Sequence, residues 1–127
     1  MIPIRIEIED IEITGVLNDS EAANSVLEVL PLDSPFNTWG DEIYFSIPVE
    51  INVVNGQEIV EDGDIGYWPP GHAFCIFYGE TPASRNGEIR AASEVAIIGK
   101  IEGDTSVLKL ANKRAHIIVE RALRKMQ

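Results

Sequence analysis

Isoleucine alternates with charge at the start of this chain: Ile4, Ile6 and Ile8 are interleaved with Arg5, Glu7 and Glu9. A period of two puts every isoleucine on one side of an extended backbone and every charge on the other, which specifies a half-buried strand. Ile11 to Val16 continues in the same style as a second strand. Glu42 to Val49 repeats the pattern, with Ile43, Phe45 and Ile47 on one side and Glu42, Tyr44 and Ser46 on the other. Pro48 marks an end, a bulge or an edge of that strand. Val54 to Gln57, around Asn55-Gly56, reads as a tight turn. Asp64 to Trp68 and Ala73 to Tyr78 read as strands on either side of Pro69-Pro70-Gly71, Val95 to Ile101 as a buried strand, and His116 to Val119 as the last one. Residues 79–93 read as a polar loop.

Helical period is confined to one stretch. Asn18-Asp19-Ser20 offer caps before residues 21–30, where Ala22, Val26, Val29 and Leu30 share a face, and Pro31 stops the helix. Ser106 to Leu110 reads as one helical turn and residues 121–127 as a short C-terminal helix. About eight short strands with one or two short helices predict a mainly β fold, an antiparallel sheet curled into a closed barrel that leaves no free edges. A length of 127 residues sets the expectation of one domain spanning residues 1–127.

Charge narrows the partners. The chain carries a net charge of −11, unevenly placed: residues 1–64 hold 15 acids and one base, giving −14, and residues 65–127 hold 6 acids and 9 bases, giving +3. An acidic half of this kind repels phosphate backbones, so nucleic acid is not an expected partner. The basic residues near the end, from Lys109 to Lys125, balance the acidic first strand or form a docking tail. The single cysteine, Cys75, excludes an intrachain disulfide. No run approaches 18 apolar residues, and the first residues lack the pattern of a signal peptide, so no membrane partner and a cytoplasmic location are expected.

Three stretches together resemble the cyclophilin fold: Gly15 to Leu30, Gly66 to Phe77, and Ile98-Gly99-Lys100-Ile101-Glu102-Gly103 followed by Val107-Leu108-Lys109-Leu110. A closer similarity is to the small cyclophilin-like proteins of bacteria and archaea. It is carried by Asn37-Thr38-Trp39-Gly40-Asp41-Glu42-Ile43-Tyr44-Phe45, by Gly63-Asp64-Ile65-Gly66-Tyr67-Trp68-Pro69-Pro70-Gly71, and by Phe77-Tyr78-Gly79-Glu80-Thr81-Pro82. The resemblance implies a cyclophilin-like closed antiparallel barrel. It also raises prolyl cis–trans isomerisation, in which an apolar pocket holds the proline and an arginine after a Phe-His pair hydrogen-bonds the imide nitrogen. Phe74, Ile76, Phe77 and Tyr44 are candidates for such a pocket. The Phe-His-Arg sequence is absent, the comparable region being Phe36-Asn37-Thr38-Trp39, which leaves Arg85 or Arg90 in the loop to supply the base.

The large aromatics outside the alternating pattern, Trp39, Tyr67 and Trp68, stand as groove-lining residues or as caps on the barrel ends. Glu42, on the same face as Tyr44, is a candidate site acid or a solvated surface carboxylate. His72, after Pro-Pro-Gly, is either a ligand contact or an exposed turn residue. Cys75, set among aromatics, reads as a buried, inert thiol. Asp41, Glu42 and Asp64 match no ligand spacing for a hard cation, so no metal and no cofactor are expected.

Three readings stand on these residues. The first is a binding module whose groove, with Trp39, Glu42, Tyr44, Tyr67, Trp68, His72, Phe74 and Phe77 as its candidate residues, holds a small molecule or a short proline-containing peptide. The second is a divergent prolyl isomerase using the same groove, and the third a structural subunit, which would form a homo-oligomer.

Overall fold

The computed structural model describes residues 1–122. β1 (Ile2–Ile8) and β2 (Ile11–Leu17) form a hairpin in which Ile8 faces Ile11 and Ile4 faces Gly15. The alternation read from the sequence is realised, with Ile4, Ile6 and Ile8 all buried at 1% exposure or less. α1 (Glu21–Leu27) follows, capped by Ser20, whose Oγ accepts the Ala23 amide at 3.1 Å. The helix stops three residues short of the expected Leu30. The amides of Val29 and Leu30 reach only three residues back, to Val26 and Leu27, and this tightens the chain into turns before Pro31.

β3 (Leu32–Pro35), β4 (Asn37–Thr38), β5 (Glu42–Ser46), β6 (Gln57–Val60), β7 (Asp64–Trp68), β8 (Ala73–Phe77), β9 (Ile89–Glu102) and β10 (His116–Arg121) complete the strands. One 3-10 turn spans Pro69–Gly71 and another Thr105–Leu110, where the helical turn was expected. β10 runs on to Arg121 and Ala122 is not helical, so the first two residues of the C-terminal helix expected over 121–127 form none, and residues 123–127 lie outside the described residues.

Among the described residues the sheet has ten strands, not eight, and its ladder is not closed. Its order is β3-β10-β1-β2-β9-β7-β8-β5-β4, with β6 pairing β9 off this path. β3 and β4 are its two ends, yet they are neighbours in the chain, separated only by Phe36, which is buried. One short stretch of chain therefore pairs with β10 on one side and with β5 on the other. The seam is crossed by the covalent backbone through Pro35, which has no amide to donate, so no row of hydrogen bonds runs along it.

Inside the curl lies the main core, built from Ile4, Ile6, Leu17, Ile43, Phe45, Ile65, Tyr67, Phe74, Ile76, Ile98, Ile117 and Val119, with Val26 of α1 and Leu108 of the second 3-10 turn as plugs. Phe45 and Phe74 meet with ring centroids 5.3 Å apart. A second, smaller cluster of Val60, Ala73, Cys75, Phe77, Ala91 and Val95 covers the opposite face of β7 and β8. It exists because β9 is long and bent. Its first residues pair with β6, its later ones with β7 and then β2, with a register irregularity in the β6 and β7 ladders. Such irregularities bend a strand, and here β6 and the start of β9 fold across the outer face of the sheet.

Candidate functional site

A cavity of about 230 Å³ opens beside this outer cluster. β5 contributes Glu42 and Tyr44, β7 ends on Trp68, and the turn before β5 supplies Trp39. Ala91, Ala92 and Val95 of β9 form the remaining wall. The small alanine side chains leave the space that the rings surround.

Local structure holds each ring. The Trp39 amide donates to the Glu42 carbonyl at 2.9 Å, closing a tight turn in which Gly40 has φ +60. A Cβ on Gly40 would sit 2.8 Å from the Glu80 carbonyl oxygen and 2.9 Å from Pro82. The segment from Tyr78 to Pro82 thus packs directly on this turn. It is tied there by the bonds Asp41 N–H to Glu80 O and Tyr78 N–H to Asp41 O, both 2.9 Å. Two of the motifs noted in the sequence therefore serve one purpose, which is to seat Trp39 at the cavity. The third seats Trp68. Its Nε1 donates to Ser93 Oγ at 2.7 Å, and the position of a Cβ on Gly71 would lie 3.0 Å from its six-membered ring. The indole is clamped between β9 and the Pro-Pro-Gly turn, with part of it left uncovered toward the cavity.

Glu42 is 7% exposed and stands opposite Phe77 in the β5–β8 ladder, next to the Cys75 thiol. Removal from water disfavours its charged form and pushes its pKa up to about 7, against a smaller downward pull from the Cys75 thiol. Burial, reinforced by the nearby Glu42 carboxylate, in turn pushes the thiol well above its ordinary range. Tyr78 is pushed up to about 12 by burial and by Asp41 and Glu42.

Because the folded state holds the Glu42 proton more tightly than the unfolded chain does, its contribution to stability is greatest below about pH 4.5. That contribution falls as pH rises toward 7 and stays low beyond. Glu42→Gln is therefore expected to match the parent near pH 4. At pH 8 it is expected to be more stable by about 3 kcal/mol at most, since each pKa unit corresponds to about 1.4 kcal/mol. Urea denaturation at the two pH values measures this, and an equal midpoint shift at both would contradict it.

The structure brings Trp39, Glu42, Tyr44 and Trp68 together and sends the other candidates elsewhere. Tyr67 and Phe74 are fully buried in the main core on the opposite face, and the Tyr67 hydroxyl donates to the Val49 carbonyl at 2.8 Å. Neighbours in a strand point to opposite faces, so Tyr67 and Trp68 cannot serve one cavity. Phe77 faces outward but is fully buried within the second cluster without reaching the cavity wall. His72 is exposed, in a left-handed conformation at φ 47, where it ends the Pro69–Gly71 turn. Arg90 is engaged with Glu88 and Glu58, and neither it nor Arg85 lines the cavity.

Ala91, Ala92 and Val95 were not among the candidates. By sequence Val95 is the expected first residue of a strand and the two alanines fall in the expected loop, and alanine carries no signal for an opening. Asp64, one of the acids weighed for a cation, instead caps a turn by accepting the Glu61 amide at 2.8 Å, and pairs with Lys100 at 3.2 Å. Among the described residues no three metal-ligating side chains converge, and no helix is long and apolar enough to cross a membrane. A second cavity of about 410 Å³ beside α1 is lined by Glu21, Asn52, Asn55 and Gln57 with small or aliphatic neighbours, and has no aromatic wall.

The family model described as cyclophilin-like matches residues 2–120. The solution structure of a hypothetical protein from Archaeoglobus fulgidus is similar to this chain at 38% identity, covering 95% of each chain, with a TM-score of 0.81. No curated protein matches.

Proposed function

The chain belongs to the cyclophilin-like family, and from that premise we propose that it is a binding protein whose small-molecule ligand sits in the outer-face cavity between Trp39, Tyr44 and Trp68. One observation carries this reading. Both tryptophans of the chain border the same cavity, and the indole of Trp68 is locked in place by Ser93 and Gly71 with part of its surface left uncovered. A fixed, amphipathic ring beside an opening loses little conformational freedom on binding and gives large contact area. A side chain that served the core alone would be turned inward, as Tyr67 is.

The two indole N–H groups give two separate NMR signals, which makes the test local. Members of a panel of small organic fragments are expected to shift both signals. Trp68→Ala, with the sheet intact by circular dichroism, is expected to weaken the fragments found by at least tenfold, and Ala91→Phe to exclude them by filling the cavity. Fragments that move only distant resonances would remove this site from consideration.

X–Pro isomerisation is expected to stay at background in a protease-coupled assay. The cavity wall holds no arginine or histidine, and Trp68 already donates its N–H to Ser93. No cationic donor is thus in place on this wall for the imide nitrogen as the amide twists.

A further inference from the structure

We propose that the cavity takes a compact organic cation, a quaternary or methylated ammonium group, seated among the Trp39, Tyr44 and Trp68 rings with the Glu42 carboxylate as its counter-charge. This rests on the reading of the cavity as a ligand site and adds the chemistry of what fills it.

The wall carries one carboxylate and no basic side chain. Glu42 is nearly enclosed, and among the described residues it has no ion-pair partner. A buried carboxylate without a cation is costly, and a cation arriving in the cavity removes that cost. The three rings favour the same charge, because the face of an aromatic ring is electron-rich and attracts cations, tryptophan most strongly. An anion would meet both the rings and the carboxylate unfavourably. A neutral apolar ligand would fill the space but leave Glu42 unpaired.

A bare metal ion does not fit this wall. Hard cations require several oxygen ligands, and here one carboxylate faces rings and alanine methyls. The cation must therefore bring its own apolar surface, as alkylated nitrogen does. A volume of about 230 Å³ lies below the roughly 300–1,000 Å³ of drug-sized sites, which keeps the group small. The net charge of −11 draws cations toward the chain.

The protonation state of Glu42 controls such binding. The titratable groups around it are Tyr44 on its own strand, Asp41 beside it in the chain, and Cys75 and Tyr78 from β8 and the residue after it. Lys109, in the second 3-10 turn, lies 3.8 Å from Asp41. β7 and β9 offer Trp68, Ala91, Ala92 and Val95 at the wall, none of which titrates near neutrality, while Arg90 farther along β9 is held by Glu88 and Glu58. Glu42 is ionised above its raised pKa of about 7, so a permanently charged ligand binds best at alkaline pH.

The test compares choline with 3,3-dimethylbutan-1-ol, which has the same shape with carbon in place of the charged nitrogen. Calorimetry and the two indole signals report on both at pH 8. Choline is expected to bind at least tenfold tighter than the alcohol. Glu42→Gln, a variant expected to fold at least as well as the parent, should weaken choline about tenfold and leave the alcohol unchanged. Lowering the pH from 8 to 5 should bring choline on the parent toward its affinity for Glu42→Gln, with no change for the alcohol. A peptide carrying trimethyllysine forms a third arm. Tighter binding than choline assigns the cation to a modified protein, and weaker binding assigns it to a free small molecule. If the alcohol binds as well as choline, or choline moves neither indole signal, the cation inference is overturned. Fragments or the alcohol still binding in a Trp68-dependent way would then keep the cavity as a ligand site. If they fail as well, both readings fall.

Discussion

Gly99→Ala is expected to leave the chain largely unfolded, or at the least to cost about 4 kcal/mol. Built on the observed backbone, the added Cβ would lie 2.2 Å from the Val16 carbonyl oxygen and 3.2 Å from the Leu17 Cα. Both are backbone atoms of β2, so no side chain can swing aside to make room. Relief requires β2 and β9 to part where Leu17 faces Gly99 and Val16 faces Lys100. The Asn18 N–H to Ile98 O bond, 2.8 Å, is lost with them. The same contact is tight from the other strand, where a Cβ on Gly15 would come within 2.7 Å of the Lys100 carbonyl oxygen. Domains of this kind are stable by only about 5–15 kcal/mol, so one such separation consumes much of the total. Gly87→Ala provides the contrast. Its φ is +79 but nothing lies within 4 Å of the new Cβ, so only backbone strain of about 1 kcal/mol is expected. Urea denaturation of both variants decides the matter. A Gly99→Ala midpoint as close to the parent as that of Gly87→Ala would mean the two strands do not approach as described.

The second large effect separates the two faces of the sheet. Phe74→Ala is expected to cost about 3–5 kcal/mol, because a fully buried ring against Phe45 is removed from a closely packed interior. Trp68→Ala removes a larger ring but a partly exposed one, and about 1–2 kcal/mol is expected. Ligand capture should show the opposite order. The milder Phe74→Leu, which keeps the fold, is expected to retain full affinity for any ligand of the cavity, and Trp68→Ala to lose it. A Phe74→Leu chain that folds but no longer binds would place the ligand inside the curl.

Glu42 joins stability to the proposed function. Its charged form is a burden on the folded chain above neutral pH, whereas glutamine there would not be. A carboxylate held at a stability cost beside three aromatic rings supports the proposed role, since perturbed acids concentrate where a ligand is handled. The expected gain in stability and loss of cation binding in Glu42→Gln are two faces of one electrostatic fact.

How far the residues alone reached is visible strand by strand. The inward set Ile43, Phe45 and Ile47 and the outward pair Glu42 and Tyr44 were legible, because each side chain's face follows from its parity along the chain. Trp39 and Trp68 were legible as site candidates because they sit beside turn residues. β3, β4 and β6 were not read as strands, since Leu32–Pro35 and Asn37–Thr38 are short and broken by Pro35, and Gln57–Val60 carries little apolar pattern. Residues 89–93, at the start of β9, read as loop by sequence, for Arg90, Ala91, Ala92 and Ser93 become a strand only by pairing with β6 and arching over the sheet. The closed ladder was expected because many short strands avoid free edges by closing. The chain instead bridges the seam with a single bent segment.

The sequence by itself determined the class of fold, the inner faces of β1 and β5, the helix start just after Asn18-Asp19-Ser20, and the motifs that resemble the cyclophilin-like family. These depend on local period, caps and turn residues, which act over a few neighbours. Only the tertiary structure decided that the pocket lies on the outer face, that Tyr67 and Phe74 belong to the core, and that Glu42 is enclosed with no ion-pair partner among the described residues. Those facts depend on which strands meet across long stretches of chain, and on the space left where β9 bends away. Neither can be read from spacing along the backbone.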